Sequence, residues 1–329
     1  MHLTLQRLIL DSTDLKILNM LGKNSRLSYR NIAYTIGLTT KSVKTRVDKM
    51  ISAKVIERFI VTVNPSIIGY KSTFSFALRK GMVNKDLIDK INLVGDIQYK
   101  FHVLGGAMGF SIAVREESEE KIKLLLQLLQ SAILGVVIEN HIYPTKMAHN
   151  LTETDYHIIK QLVQHPRMEI SEIGKAIAIS PKTIRRRLDR MQNSHILEFT
   201  ILPNPPAMKG QIIFFLEIKV ESDDSVIHRA LIEEIFSELH HYLILSSFLH
   251  NQADTIGVIL ASEDVFKVES IRSRIESFRG VKGANVFIPI QIEYNQDSIV
   301  KAIERKLEKI TKVNNYEIRK PFNYTGYKK

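Results

Sequence analysis

The residues in this chain best equipped for chemistry are cations placed at helical spacing. Lys182, Thr183, Arg185, Arg186, Arg187 and Arg190 form one dense run, and Thr40, Lys41, Lys44, Thr45 and Arg46 form a sparser one. Arginine offers a rigid fork of donors that can bridge guanine O6 and N7, lysine offers a point charge, and threonine a hydroxyl that donates and accepts. Such a set is suited to grip a polyanion. The sequence has 0 Cys, which removes disulfides, thiol nucleophiles and cysteine zinc sites. Its 11 His are scattered, and none pair at the spacing of a helical zinc site. His240 and His241 are neighbours, so on a strand they point to opposite faces, a structural or surface role. No cofactor and no metal are expected.

The overall charge agrees with the local one. Lys and Arg number 46 against 35 Asp and Glu, a net +11, which favours nucleic acid or an anionic membrane surface. The membrane is the poorer candidate, because the longest apolar runs, Ile212 to Leu216 and Ala132 to Ile138, fall well short of the ~20 residues of a spanning helix. Met1 to Leu10 contains polar residues and no small-residue cleavage site, so no secretory signal is expected. With no cysteine, the expected setting is cytoplasmic.

Both cationic runs sit at the same place in an internal repeat. Leu10 aligns with Leu151, a shift of 141 positions. The same shift pairs Asp14 with Asp155, Ile17 with Ile158, Arg26 with Arg167, Lys41 with Lys182, Arg46 with Arg187, Met50 with Met191 and Pro65 with Pro206, without a gap. Each copy reads as three helices followed by a wing. In the first, Ser12 or Thr13 caps a helix bearing Leu15, Ile17, Leu18 and Leu21, and a second helix follows from about Ser28 to Ile36. Gly37 then gives the backbone freedom for a tight turn, and Thr39 caps a third helix whose inner face is Val43, Val47, Met50 and Ile51. Its outward residues are Thr40, Lys41, Lys44, Thr45 and Asp48, with Arg46 at the margin. Val55 to Val63 reads as a wing-like strand pair ending at Asn64-Pro65. In the second copy Ser180 caps, Pro181 takes the first helical position, Ile184, Leu188 and Met191 face inward, and Pro203, Pro205 and Pro206 close the unit.

Two α/β stretches complete the repeat. From about 72 to 144 the pattern is strand Ser72 to Leu78, helix Lys85 to Leu93, a strand pair around Gly105-Gly106, helix Glu117 to Leu134 and strand Val136 to Tyr143. From about 211 to 294 it is strand Ile212 to Val220, helix Ser225 to Leu239, strands around Asn251 to Asp254, helix Glu263 to Phe278 and strand Ala284 to Ile292. The expected fold class is α+β, two winged helix-turn-helix domains alternating with two ferredoxin-like βαββαβ domains. The expected boundaries are 1–65, 66–148, 149–206 and 207–295, with a C-terminal helix, Ser298 to Ile310, and a mobile basic, aromatic tail over 296–329. Phe74, Phe76, Phe214 and Leu216 are expected to let the two sheets pack face to face.

Leu10-Asp11-Ser12-Thr13-Asp14-Leu15-Lys16-Ile17-Leu18, then Gly37-Leu38-Thr39 leading to Val43 and Arg46-Val47, and the closing Asn64-Pro65 resemble the DNA-binding unit of the Lrp/AsnC regulators. Residues 151–206 resemble it again. The resemblance implies double-stranded DNA as partner, assembly into homo-oligomers through the α/β domains, and a small effector such as an amino acid. Two copies on one chain imply an intrachain pseudo-dimer. It also implies an effector loop with a Gly followed by an Asp. Gly105 and Gly106 stand there in the first copy with Phe110 in place of the acid, and Asn251 and Asp254 in the second. The glycine pair also reads as a simple turn, and Asp254 as a loop-shaping acid.

A rival implied by the same resemblance is a siroheme-decarboxylase-like tetrapyrrole enzyme. Those enzymes are implied to carry a Trp-containing aromatic stretch and histidines near the loop. This chain has 0 Trp, Gly109-Phe110-Ser111 and Thr255-Ile256-Gly257 occupy that region, and only His102 and His250 lie near it. A non-catalytic co-regulator is a third alternative. The leading expectation is a transcription regulator that is not an enzyme.

Overall fold

The computed structural model describes residues 8–141, 151–221, 225–239, 243–248 and 255–318. The first half runs β1 (Leu8–Ile9), α1 (Ser12–Lys23), α2 (Tyr29–Ile36), α3 (Thr40–Ser52) and β2 (Ile56–Val63). It continues with β3 (Ser72–Arg79), α4 (Lys85–Val94), β4 (Asp96–Val103), β5 (Ala107–Val114), α5 (Glu119–Leu128) and β6 (Ile133–His141). The second half runs α6 (Glu153–Gln164), α7 (Ile170–Ala176), α8 (Pro181–Asn193), β7 (Leu197–Pro203), β8 (Met208–Lys209) and β9 (Ile212–Val220). After these come α9 (Ser225–Leu239), β10 (Leu243–Phe248), β11 (Thr255–Ser262), α10 (Val265–Glu276), β12 (Val281–Phe287), β13 (Pro289–Tyr294) and α11 (Gln296–Ile318).

Each helical unit closes around the apolar stripe that helical spacing dictates. Ile17, Leu21, Ile32, Val43, Val47 and Met50 are fully buried in the first, and Ile158, Leu162, Ile173, Ile184 and Met191 in the second. The cap of α1 is Asp11 and not Ser12 or Thr13. Its carboxylate accepts the Asp14 N–H at 2.8 Å while the Asp14 carboxylate accepts the Asp11 N–H at 3.3 Å. A carboxylate satisfies the free N–H groups as a hydroxyl does and also meets the positive end of the helix dipole. Gly37 ends α2 at φ 72, while the equivalent Ala178 is held at φ 55.

The expected wing hairpin does not form within either copy. No turn residue interrupts Ile56 to Val63, so the segment stays one strand, and its partner is β7 of the other copy, antiparallel. Phe59 pairs with Ile201 and Ile60 with Thr200. Since Phe59 and Thr200 are equivalent positions, as are Ile60 and Ile201, the register is that of two like copies meeting on a two-fold axis.

The ribbon sends each α/β domain across the axis. Tyr70, Tyr99 and Ala113 of the first α/β domain join the core of the second helical unit, with Tyr156, Leu162 and Phe199. Ile213, Ile259 and Ala261 of the second α/β domain join the core of the first unit, with Ile17, Val43 and Met50. Burying side chains of this size contributes about 1.5–3 kcal/mol each, so the exchange welds the halves together.

Each α/β domain has the ferredoxin-like strand order, β4-β5-β3-β6 and β10-β11-β9-β12. Phe74, Phe76, Phe214 and Leu216 do not pack sheet on sheet. They lie beneath helices, Phe74 and Phe76 with Leu87, Ile91 and Ile122, and Phe214 and Leu216 with Ile235, Ile271 and Ile275. Alternation along a strand decides this, because residues two apart share a face and that face is the helix-covered one. From the opposite faces, Tyr99 and Ala113 of the first sheet and Ile213, Ile259 and Ala261 of the second join the cores of the helical units.

Two further expectations change. The α5 helix stops at Leu128, short of Leu134, where the chain turns into β6. The strand expected over Ala284 to Ile292 is split. β12 pairs with β9 of its own sheet, and β13, opened by Pro289, crosses to pair with β4 of the first sheet. Proline lacks an N–H and is tolerated at a strand's first residue. Beyond it α11 runs on to Ile318, well past Ile310, and takes in Asn314-Asn315-Tyr316. Ile299, Ala302 and Ile303 of α11 are buried against the second unit. The basic end of the chain lies outside the described residues.

Candidate nucleic-acid interface

The outer faces of α3 and α8 carry the cations singled out by their spacing. Thr39 caps α3 by accepting the Ser42 N–H at 3.1 Å, and Ser180 caps α8 by accepting the Thr183 N–H at 3.2 Å, so both helices start at a defined residue. Val43, Val47 and Met50 anchor one helix, Ile184, Leu188 and Met191 the other. Opposite those anchors, Thr40, Lys41, Lys44 and Thr45 are exposed on α3, and Lys182, Arg185 and Arg186 on α8. Lys41, Lys44, Lys182, Arg185 and Arg186 have no hydrogen-bond or ion-pair partner among the described residues, so their donors face solvent. Thr183 is half-buried beside its cap, its hydroxyl 2.9 Å from that of Ser180.

Three of the singled-out arginines are engaged within their own unit. Arg46 Nη1 donates to Asp11 Oδ2 and Asp14 Oδ1, both at 2.7 Å. Arg187 Nη1 donates to Asp155 Oδ1 at 2.9 Å and Thr152 Oγ1 at 3.0 Å, and Arg190 Nη2 to Asp155 Oδ2 at 3.0 Å. Asp155 is completely shielded from solvent. Burial pushes its carboxyl up, but the Thr152 N–H and hydroxyl and the Arg187 guanidinium outweigh that and hold it below the ordinary value. Asp11, more open, is lowered first by the Asp14 N–H and then by Arg46. The two clasps tie each third helix to the first turn of its own unit. The sequence carries a signal for them, since Asp14/Asp155 and Arg46/Arg187 recur at one repeat shift, but a contact between helices leaves no mark in it.

A second pair of equivalent arginines, Arg26 and Arg167, instead reaches across to the other unit. Arg26 Nη1 donates to the carbonyls of Pro166 and Met168, both at 3.0 Å, and Arg167 lies over the rings of Tyr29 and Phe59.

Of the residues named for an effector, two are described. Gly105 and Gly106 form the exposed β4–β5 turn at φ 90 and 85, with open space where a side chain would stand. Asn251 and Asp254 lie outside the described residues. Among the described residues no cluster of His, Asp and Glu could hold a metal ion, and no helix is long and apolar enough to cross a membrane.

The family model for the AsnC-type helix-turn-helix domain matches residues 10–51 and again 151–192, the two units just described. The chain therefore carries the AsnC-type helix-turn-helix domain twice, as a tandem duplication. An uncharacterized HTH-type transcriptional regulator of Pyrococcus horikoshii is 28% identical over 130 residues, covering 37% of this chain and 86% of the relative. HTH-type transcriptional regulator LrpB of Bacillus subtilis is 29% identical over 118 residues, covering 36% of this chain and 78% of its own. So short a share of this chain spans most of each relative, as expected where the relatives carry one copy. Among solved structures, B. subtilis LrpC aligns at 24% identity and a TM-score of 0.31, covering 42% of this chain and 96% of that one. The siroheme decarboxylase NirDL aligns at 12% identity and a TM-score of 0.45, covering 92% of this chain and 100% of that one.

Proposed function

We propose that this protein is a sequence-specific DNA-binding transcription regulator that acts by binding, not catalysis. The observation that carries the reading is the pair of exposed, unpaired cationic faces on the third helices of two helix-turn-helix units. That helix is the one which enters the major groove in such units, with basic side chains reaching base edges and phosphates. The names of the relatives, HTH-type transcriptional regulators, support it.

The two units are unequal. The second presents Lys182, Arg185 and Arg186, the first Lys41 and Lys44. Two forks that can bridge guanine acceptors give the second unit the larger share of affinity and specificity. The expected operator is asymmetric, with half-sites about 34 Å apart, one helical turn. Arg46, Arg187 and Arg190 then act by holding the helices in place. Regulation by a small effector such as an amino acid, assembly of further copies through the α/β domains and a cytoplasmic location belong to the same reading. Selection of bound fragments from the source genome, followed by titration of one fragment at several salt concentrations, tests it. No enriched fragment, or affinity indifferent to salt, would overturn it.

A further inference from the structure

We propose that the cleft at the junction of the two helical units binds a small carboxylate or phosphate anion, held by Arg167 and Arg58. The cleft has a volume of about 450 Å³. Arg58 and Phe59 of β2 line one side, Gln164 at the end of α6 with His165 and Arg167 of the turn after it another, and Gln296 at the head of α11 a third.

The symmetry between the two copies is broken at one pair of residues. Arg26 and Arg167 are equivalent residues of the two copies, yet only one is satisfied. Arg26 Nη1 has two carbonyl acceptors. Arg167 Nη1 is buried and has no acceptor. Its guanidinium lies 5.1 Å from the Tyr29 ring centroid and 4.7 Å from that of Phe59. The two aromatic faces stabilise the charge, but N–H bonds point in the guanidinium plane, and Nη1 lacks an acceptor there. A buried donor left unpaired costs free energy that a bound oxygen would recover.

Charge points the same way. Arg26, Arg58 and Arg167 have no carboxylate partner within ion-pair distance among the described residues. Burial pushes the Arg26 guanidinium down; the charge of Glu169 opposes this, and the positive charge of Arg167 adds a smaller push in the same direction as burial. Arg58 is exposed on the cleft wall and spends one N–H on the Tyr294 carbonyl. An oxyanion here would accept from Arg167 and Arg58, two charge-assisted bonds, with the amides of Gln164 and Gln296 as further donors. It would bridge a strand of one copy and a turn of the other, so occupancy would stiffen the junction between the units. This site stands independently of the DNA-binding reading.

The test is calorimetric titration of the full-length protein with inorganic phosphate and, separately, with succinate, at constant ionic strength set by sodium chloride. Saturable binding of one anion is expected, weakened at least about tenfold in Arg167→Met and several-fold in Arg58→Gln. The stronger of the two titrants distinguishes a phosphate from a carboxylate site. Absence of saturable binding, or binding within about twofold of wild type in Arg167→Met, overturns the proposal. Should Arg167→Met fail to fold, the exposed Arg58→Gln carries the test, and unchanged affinity there overturns it equally. Lower DNA affinity in Arg167→Met, with no anion binding in wild type, would make DNA phosphate the occupant and also overturn it.

Discussion

Arg187 grips Asp155 at 2.9 Å, joining the third helix of the second unit to the first turn of its first helix, and Arg46 grips Asp14 at 2.7 Å in the same way in the first unit. The clasps differ in their third member. Asp155 also receives Arg190, whereas Arg46 has Asp11 as a second acceptor. Each aspartate thus caps one helix and orients another. The exposed face offered to a groove is set by charges that are themselves occupied.

Replacing Asp155 by Ala removes a helix cap and leaves two guanidiniums without their carboxylate. A loss of about 2–4 kcal/mol in urea unfolding is expected. Asp14→Ala should cost less, because Asp11 still receives Arg46. Equal losses at the two sites would contradict the difference in pairing.

Acid should act on the second clasp. The folded-state carboxyl of Asp155 is lowered from an ordinary value of 3.8, so its stabilisation is complete above that pH and is lost as pH falls through the lower folded value. Between pH 5 and pH 2 wild type should lose stability more steeply than Asp155→Asn. Parallel curves from chemical denaturation across that range would remove Asp155 from the account.

The left-handed turn between second and third helices is glycine in one copy and alanine in the other. Ala178 at φ 55 carries a steric cost of about 1–2 kcal/mol that Gly37 avoids. Ala178→Gly should therefore raise stability and Gly37→Ala lower it, each by about 1 kcal/mol, as read from thermal unfolding.

On DNA, the double variant Arg185→Ala/Arg186→Ala should weaken binding more than Lys41→Ala/Lys44→Ala. The lysine pair, as phosphate contacts, should flatten the plot of log affinity against log salt by about 2, roughly 0.9 for each contact, and the arginine pair, as base contacts, by less. Fluorescence anisotropy on a selected fragment measures both quantities. A greater loss from the lysine pair would reverse the assignment of the dominant unit.

The C-terminal helix should matter for one unit only. Lys160 of α6 donates to Glu304 of α11 at 2.7 Å, and Arg305 of α11 reaches Asp96 of the first α/β domain at 2.8 Å. Ending the chain after Asn295 should raise hydrogen exchange throughout α6 while α1 keeps its protection. Uniform loss of protection in both helices would show a general scaffold role instead.

Much of this architecture was legible in the residues. Val43/Val47/Met50 and Ile184/Leu188/Met191 recur at helical spacing, Thr39 and Ser180 stand at helix starts, and alternating apolar residues mark β3 and β9. These are local signals, spread over a few turns or a few pleats, and local signals survive in sequence. Arg46 and Arg187 were misleading for the same reason: their placement near the outer face can be counted, but the aspartates that engage them lie on another helix.

By itself the sequence determined that there are two like copies, which stretches of each are helical and which extended, and that the second bears the stronger cations. The tertiary structure alone decided how the copies combine. Whether Ile56 to Val63 folds back on itself or pairs with Leu197 to Pro203, and whether Pro289 to Tyr294 stays in its own sheet or crosses to β4, depends on which partner offers free backbone groups and an apolar face. Those partners lie far away along the chain, and hydrogen bonding between strands leaves no periodicity in either one to name the other.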